Sequence, residues 1–152
     1  MQIRHFHPLS GLEATKTIEN TWSRFAPFLT KQYTPAEAKH LVKSELLNRE
    51  RFWFPYGVST VAKNGPAFNP EEPTWGHAWQ HPHWRGPIWM TIHWFLYQGL
   101  KNYGFDDIAK EIKDKSLALV ENEGFREYYH PITGKGMGAN DFTWGAMTID
   151  MK

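Results

Sequence analysis

Cysteine is absent from all 152 residues, which excludes disulfides, thiolate nucleophiles and thiolate zinc sites. An excess of one charge sign is missing too, since 17 basic and 16 acidic side chains leave a formal charge of +1. Without a phosphate-seeking surplus, nucleic acid and anionic membranes are poor partners. No apolar run is long enough to span a bilayer. The opening Met1-Gln2-Ile3-Arg4-His5-Phe6-His7 has no apolar stretch behind its basic residues, so no secretory leader is expected. A cytoplasmic location is the expectation that follows.

Hydrophobic residues at 41% and charged residues at 22% are ordinary for a globular domain, and the length suits one domain with a real core. The aromatic content is unusual. Of 8 Trp, Trp75, Trp79, Trp84, Trp89 and Trp94 crowd into one short stretch. Indole faces in a cleft suit the apolar faces of sugar rings, and the same residues also suit a core patch or a partner interface.

Helical signals dominate the chain. Ile18, Trp22, Phe25 and Leu29 recur at helical spacing until Pro27 ends or bends the run. Thr34, Pro35 and Glu37 predict an N-cap, a first helical residue and the far partner of a capping box. Ala38, Leu41, Val42 and Leu46 then share one apolar face. Residues 51–86 break the pattern with five prolines and four glycines, yet Phe52, Trp53, Phe54, Tyr56 and Phe68 argue for an ordered binding loop.

Pro87 is expected to open a helix that is apolar around most of its circumference through Ile88, Trp89, Ile92, Phe95, Leu96 and Leu100, with Gly104 as its stop. An amphipathic helix from Asp106 to Gly124 follows, with Ile108, Ala109, Ile112, Ser116 and Val120 inward and its lysines in solvent. A buried helix turned sharply onto an amphipathic one reads as an inner-and-outer hairpin. A further inner helix is expected from Asp141 to Met151. The fold class expected is all-α.

Three segments could carry chemistry. In His83-Trp84-Arg85-Gly86-Pro87-Ile88-Trp89, a helix start with Arg85 makes an electropositive spot flanked by indoles; alternatively Arg85 pairs with a structural carboxylate. In Phe125-Arg126-Glu127-Tyr128-Tyr129, a glutamate among aromatics can be a poised acid or base, or a plain ion-pair partner of Arg126. In Gly138-Ala139-Asn140-Asp141-Phe142, Asn140 or Asp141 could cap the last helix, and Asp141 could instead orient a water or a sugar hydroxyl. His77, His81 and His83 have a metal-like spacing, but Gly76 and Pro82 bracket them, so loop histidines are the default and no metal is assigned.

Taken in order, W-R-G-P-I-W and E-Y-Y-x-P-x-T-G-x-G-x-G-A-x-D-F-x-W, joined by one helical hairpin, resemble the carboxy-terminal end of family 63 glycoside hydrolases. That group includes mannosylglycerate and glucosylglycerate hydrolases and trehalase-like enzymes. The resemblance covers roughly residues 35–152 and is strongest in 83–98 and 125–144. It implies helical hairpins forming part of an (α/α)6 toroid, with residues 1–152 as one partial, carboxy-terminal glycosidase domain. It also implies an inverting reaction with two carboxyl groups roughly 6.5–9.5 Å apart.

Glu127 falls at the general base, Trp84 and Trp89 match aromatics that line the sugar site, and Arg85 and Asp141 give polar support. His83 stands where the family usually has Tyr, which alters one sugar contact. No cofactor is called for. The family's general acid is an Asp well upstream, and nothing before residue 35 matches it. The expectation is therefore a carbohydrate-binding partial domain, inactive alone on an α-glucoside or α-mannoside. A complementary chain or a homo-oligomer would complete the ring. The rivals are a non-catalytic carbohydrate-binding or assembly module and a histidine-based metal domain.

Overall fold

The first helix begins where its capping residues dictate. In the computed structural model, which describes residues 20–71 and 84–152, Thr34 Oγ1 accepts the Glu37 N–H at 3.3 Å, and Glu37 Oε2 accepts the Thr34 N–H at 2.8 Å. Two donors that the helix leaves unpaired are thereby satisfied reciprocally. Helix α1 (Pro35–Leu41) continues into a π-helical turn (Val42–Leu46) that buries Val42 and Leu46.

Helix α2 (Met90–Asn102) is the centre of the core. It buries Met90, Ile92, His93, Leu96, Tyr97, Gly99 and Leu100, so no single stripe describes it. Helix α3 (Asp106–Glu123) lies against it and buries only Ala109, Ile112, Ser116 and Leu119. The inner-and-outer hairpin is thus present, with Gly104 in the left-handed region (φ +73°) at its turn. Two 3₁₀ segments, Trp22–Phe28 and Thr143–Asp150, cover further sides of α2. At Gly99 the Phe28 Cβ is 2.7 Å from where a β-carbon would stand, so the chains meet there only because the residue is glycine.

His93 fastens α2 to its neighbours from inside. Its Nε2 accepts the Val58 N–H at 2.9 Å, and its Nδ1 lies 2.7 Å from Ser116 Oγ. Ser116 spends its own proton on the Ile112 carbonyl at 2.7 Å, so the hydrogen must sit on Nδ1. Complete burial, helped by the nearby Lys115 charge, pushes the His93 pKa down to about 3.

The sequence pattern foresees helices alone, and the structure adds two antiparallel hairpins. Strands β1 (Trp53–Phe54) and β2 (Gly57–Val58) pair inside the proline-rich segment, where Gly57 (φ +150°) lets the chain approach the His93 ring. Strands β3 (Arg126–Tyr129) and β4 (Gly136–Asn140) carry the second motif. Neither pair shows the alternation that marks a half-buried strand, and each is short.

One expected helix start also moves, and one expected helix is replaced. Helix α2 starts at Met90 and not at Pro87, because Ile88 is extended and exchanges both backbone hydrogen bonds with Tyr129, at 2.8 and 2.9 Å. The stretch expected as an inner helix over Asp141–Met151 is the second 3₁₀ segment instead. Phe142 donates to the Phe125 carbonyl at 3.0 Å, and Gly145 lies under the Phe125 ring. Its β-branched Thr143, Thr148 and Ile149 together with Gly145 weaken the α-helical alternative.

Among the described residues no helix is long and apolar enough to cross a membrane.

Candidate functional site

The Ile88–Tyr129 bridge joins the two motifs that are far apart in sequence. It sets the segment that carries Trp84, Arg85 and Trp89 directly beside β3, the strand that carries Glu127. Tyr129 also steadies this strand. Its hydroxyl donates to the Gly124 carbonyl at 2.7 Å and accepts the Arg126 N–H at 3.2 Å, and burial holds the phenol above its ordinary pKa, so it stays protonated.

Glu127 is partly buried and stands opposite a β-bulge. Arg126 pairs with Asn140 and Tyr128 with Met137, so two residues of β4, Gly138 and Ala139, face the single Glu127. Gly138 adopts φ +68°, as the first position of a glycine bulge requires. A β-carbon there would also stand 2.6 Å from Glu127 Oε2. The bulge turns the Ala139 N–H toward the carboxylate, and Oε2 accepts it at 3.0 Å. The ion pair with Arg126 that adjacency suggests is not what forms. Arg126 crosses to β4 instead, donating from Nη1 to Asn140 Oδ1 and from Nη2 to the Gly138 carbonyl at 3.2 Å.

The two tryptophans have different surroundings. Trp84 and Trp89 stack with ring centroids 4.3 Å apart and planes 5° from parallel. Trp89 is 4% exposed, hemmed in by Tyr128 and Trp144 at 5.3 Å each and by the edge of Phe142 at 6.4 Å. Trp84 is 43% exposed. The open indole face of the pair therefore belongs to Trp84, and Trp89 is its foundation.

Arg85 is exposed and uses Nε on the Ala67 carbonyl at 3.1 Å, a contact with backbone and not with a carboxylate. Because α2 begins five residues later, Arg85 and the N–H groups of the helix start are separate features. Asp141 is exposed in the left-handed region (φ +53°) and caps no helix; Phe142 holds the N-cap position of the final 3₁₀ segment without a side-chain bond, and Asn140 is engaged by Arg126. His83, like His77, His81, Trp75, Trp79 and the chain before Asn20, lies outside the described residues. Among the described residues no group of histidines and carboxylates could hold a metal.

The residues that support this site carry no local signal of that role in the sequence. Gly138, the Ala139 N–H and Arg126 reaching past its neighbour act across the β3–β4 hairpin, and Phe142 and Trp144 pack on Trp89 from the chain that follows it. The visible trace was the glycine-rich run after Glu127, whose offset of one residue between strands no spacing reveals. A separate hollow of about 560 Å³ lies against Trp53, lined also by Arg49, Lys63 and Lys115. Lys63 pairs with Glu50 at 3.0 Å, and Lys115 reaches Glu111 at 3.3 Å, the Phe54 carbonyl at 3.1 Å and the Trp53 ring at 4.6 Å.

Comparison with known proteins shows the family. Residues 2–145 match the family model described as the mannosylglycerate hydrolase MGH1-like glycoside hydrolase domain. The chain is 48% identical over 91 residues to the mannosylglycerate hydrolase of Thermus thermophilus, covering 60% of this chain and 20% of that one. It is 41% identical over 89 residues to mannosylglycerate hydrolase MGH2 of Selaginella moellendorffii, covering 59% and 18%. The crystal structure of the family 63 mannosylglycerate hydrolase from Thermus thermophilus in complex with glucose superposes with a TM-score of 0.72 at 32% identity, covering 88% of this chain and 30% of that one. The same enzyme with Tris and D-glycerate gives 0.72 at 31%, covering 88% and 29%. The chain thus spans about a fifth of the length of the curated relatives it matches. Its helical hairpin forms part of an (α/α)6 toroid. The chain belongs to the mannosylglycerate hydrolase MGH1-like glycoside hydrolase family.

Proposed function

We propose that this chain supplies the general base and a sugar platform to an inverting glycoside hydrolase acting on an α-mannoside or α-glucoside of glycerate. Glu127 is the base, Trp84 stacks on the sugar ring, and Trp89 supports Trp84. His83, Arg85 and Asp141 offer polar contacts to the substrate. The single observation that supports this reading is the pairing of Ile88 with Tyr129, which brings the segment that carries Trp84 alongside the strand that carries Glu127.

In an inverting hydrolysis, a base draws a proton from water as that water attacks the anomeric carbon. A second carboxyl group on the opposite ring face protonates the departing oxygen. Glu127 Oε1, the oxygen that the Ala139 N–H does not hold, is the one that takes the proton. The general acid belongs to a part of the toroid outside residues 1–152, which make up a carboxy-terminal portion of the catalytic domain. The chain acts with a complementary segment or with further copies of itself, and alone it does not turn over glycosides. Loss of acid assistance by itself removes roughly 10²–10⁴-fold in rate.

The test measures glycerate release from mannosylglycerate and glucosylglycerate, by the chain alone and by the chain combined with the complementary portion of the Thermus thermophilus relative. No turnover alone, and turnover in combination that Glu127→Gln abolishes, is the expected result. Undiminished turnover with Glu127→Gln overturns it. Sugar binding lost in Trp84→Ala, with no turnover in any combination, points to a carbohydrate-binding module of the same fold.

A further inference from the structure

Arg126 and Glu127 are neighbours of opposite charge that grip the two ends of one peptide group. Arg126 Nη2 donates to the Gly138 carbonyl at 3.2 Å, and the nitrogen of that same peptide, on Ala139, donates to Glu127 Oε2 at 3.0 Å. We propose that the Gly138–Ala139 peptide is a relay through which Arg126 positions Glu127, making Arg126 and Gly138 positioning residues for the base. The proposal rests on the reading of Glu127 as that base.

The physics of the relay is direct. A cation on a carbonyl oxygen polarises the amide and strengthens its N–H as a donor, since hydrogen bonds in series reinforce one another. A charge-assisted bond of this kind is roughly twice as strong as a neutral one. The tether fixes the plane of the carboxylate through Oε2 and makes no use of Oε1. A direct Arg126–Glu127 pair would instead occupy the carboxylate with a fork of donors and blunt it as a base. Sending the charge through a peptide keeps its orienting effect and spares the second oxygen.

Three features of the hairpin serve this arrangement. The bulge inserts the extra residue that turns the Ala139 N–H inward. Gly138 is required twice over, by its φ of +68° and by the 2.6 Å that would separate a β-carbon from Oε2. Gly136 makes room for the Arg126 stem, whose Cγ is 2.4 Å from where a β-carbon would be. The crossing also carries a cost. Arg126 Nε is buried with no hydrogen-bond acceptor among the described residues, a state that native proteins mostly avoid.

NMR of the full chain tests the relay without any need for turnover. An amide proton bonded to a carboxylate shifts as that carboxylate is titrated, so the Ala139 amide should move through the acid titration in the parent chain and stay still in Glu127→Gln. Arg126→Gln should cut the size of that movement at least twofold and speed Ala139 hydrogen exchange about tenfold, while amides of α2 are unchanged. Arg126→Lys, which can still place one cation on the Gly138 carbonyl, should recover part of both effects. If Arg126→Gln does not fold, Arg126→Lys carries the test, with a smaller loss expected at Ala139 alone. An Ala139 amide that ignores the titration in the parent chain overturns the relay, as does one that behaves identically in the Arg126 variants. A relay that survives while Glu127→Gln keeps full turnover in the combined enzyme would instead remove Glu127 as the base.

Discussion

Trp84 lies flat on Trp89, with 4.3 Å between ring centroids and 5° between planes. One indole is thereby turned into core and the other into surface, although the two stand five residues apart in one motif. Their substitutions should part company. Trp84→Ala should change stability by under about 1 kcal/mol, as expected for an exposed side chain, and abolish sugar binding followed by calorimetry. Trp89→Ala should cost roughly 3–5 kcal/mol in chemical denaturation, as truncation of a buried aromatic does.

His93 makes stability depend on pH. Its folded pKa of about 3 lies below the ordinary unfolded value near 6.5, so between those limits the unfolded chain binds the extra proton. Stability is therefore intact above about pH 6.5 and falls as pH drops toward 3, with a loss on the order of 2 kcal/mol already at pH 5. Urea titrations at pH 7 and pH 5 should show this loss, and His93→Gln should flatten it while lowering stability at pH 7.

Gly57→Ala should destabilise through the same histidine. The residue sits at φ +150°, and a β-carbon would come within 2.2 Å of His93 Cε1. Backbone strain and overpacking each cost about 1–3 kcal/mol. A midpoint shift in denaturant of that combined size is expected, with an unchanged slope.

Thr34→Ala should remove the cap that begins α1, at a cost of about 1 kcal/mol. The loss should appear in thermal unfolding and leave sugar binding untouched, because α1 carries no residue of the site.

What the sequence makes legible follows from how local each signal is. The Thr34 capping box, the Gly104 stop and the contrast between α2 and α3 are written in residues within a turn or two of one another, and each is present in the structure. The resemblance that singles out Glu127, Trp84 and Trp89 is likewise carried by short runs. The bulge opposite Glu127 was not legible, because a register shift is a relation between strands. The start of α2 at Met90 was missed for the same reason, since Pro87 signals a helix locally and the partner that keeps Ile88 extended is Tyr129. The separate surroundings of Trp84 and Trp89 come from Tyr128, Phe142 and Trp144, which arrive from the far end of the chain.

The most direct measurement is the rate of mannosylglycerate hydrolysis by this chain combined with the complementary portion of a relative, with and without Glu127→Gln. A fall of at least about 10²-fold in kcat, with fold and sugar binding retained, is predicted for the loss of a general base. Equal kcat in the two proteins would contradict the assignment of Glu127.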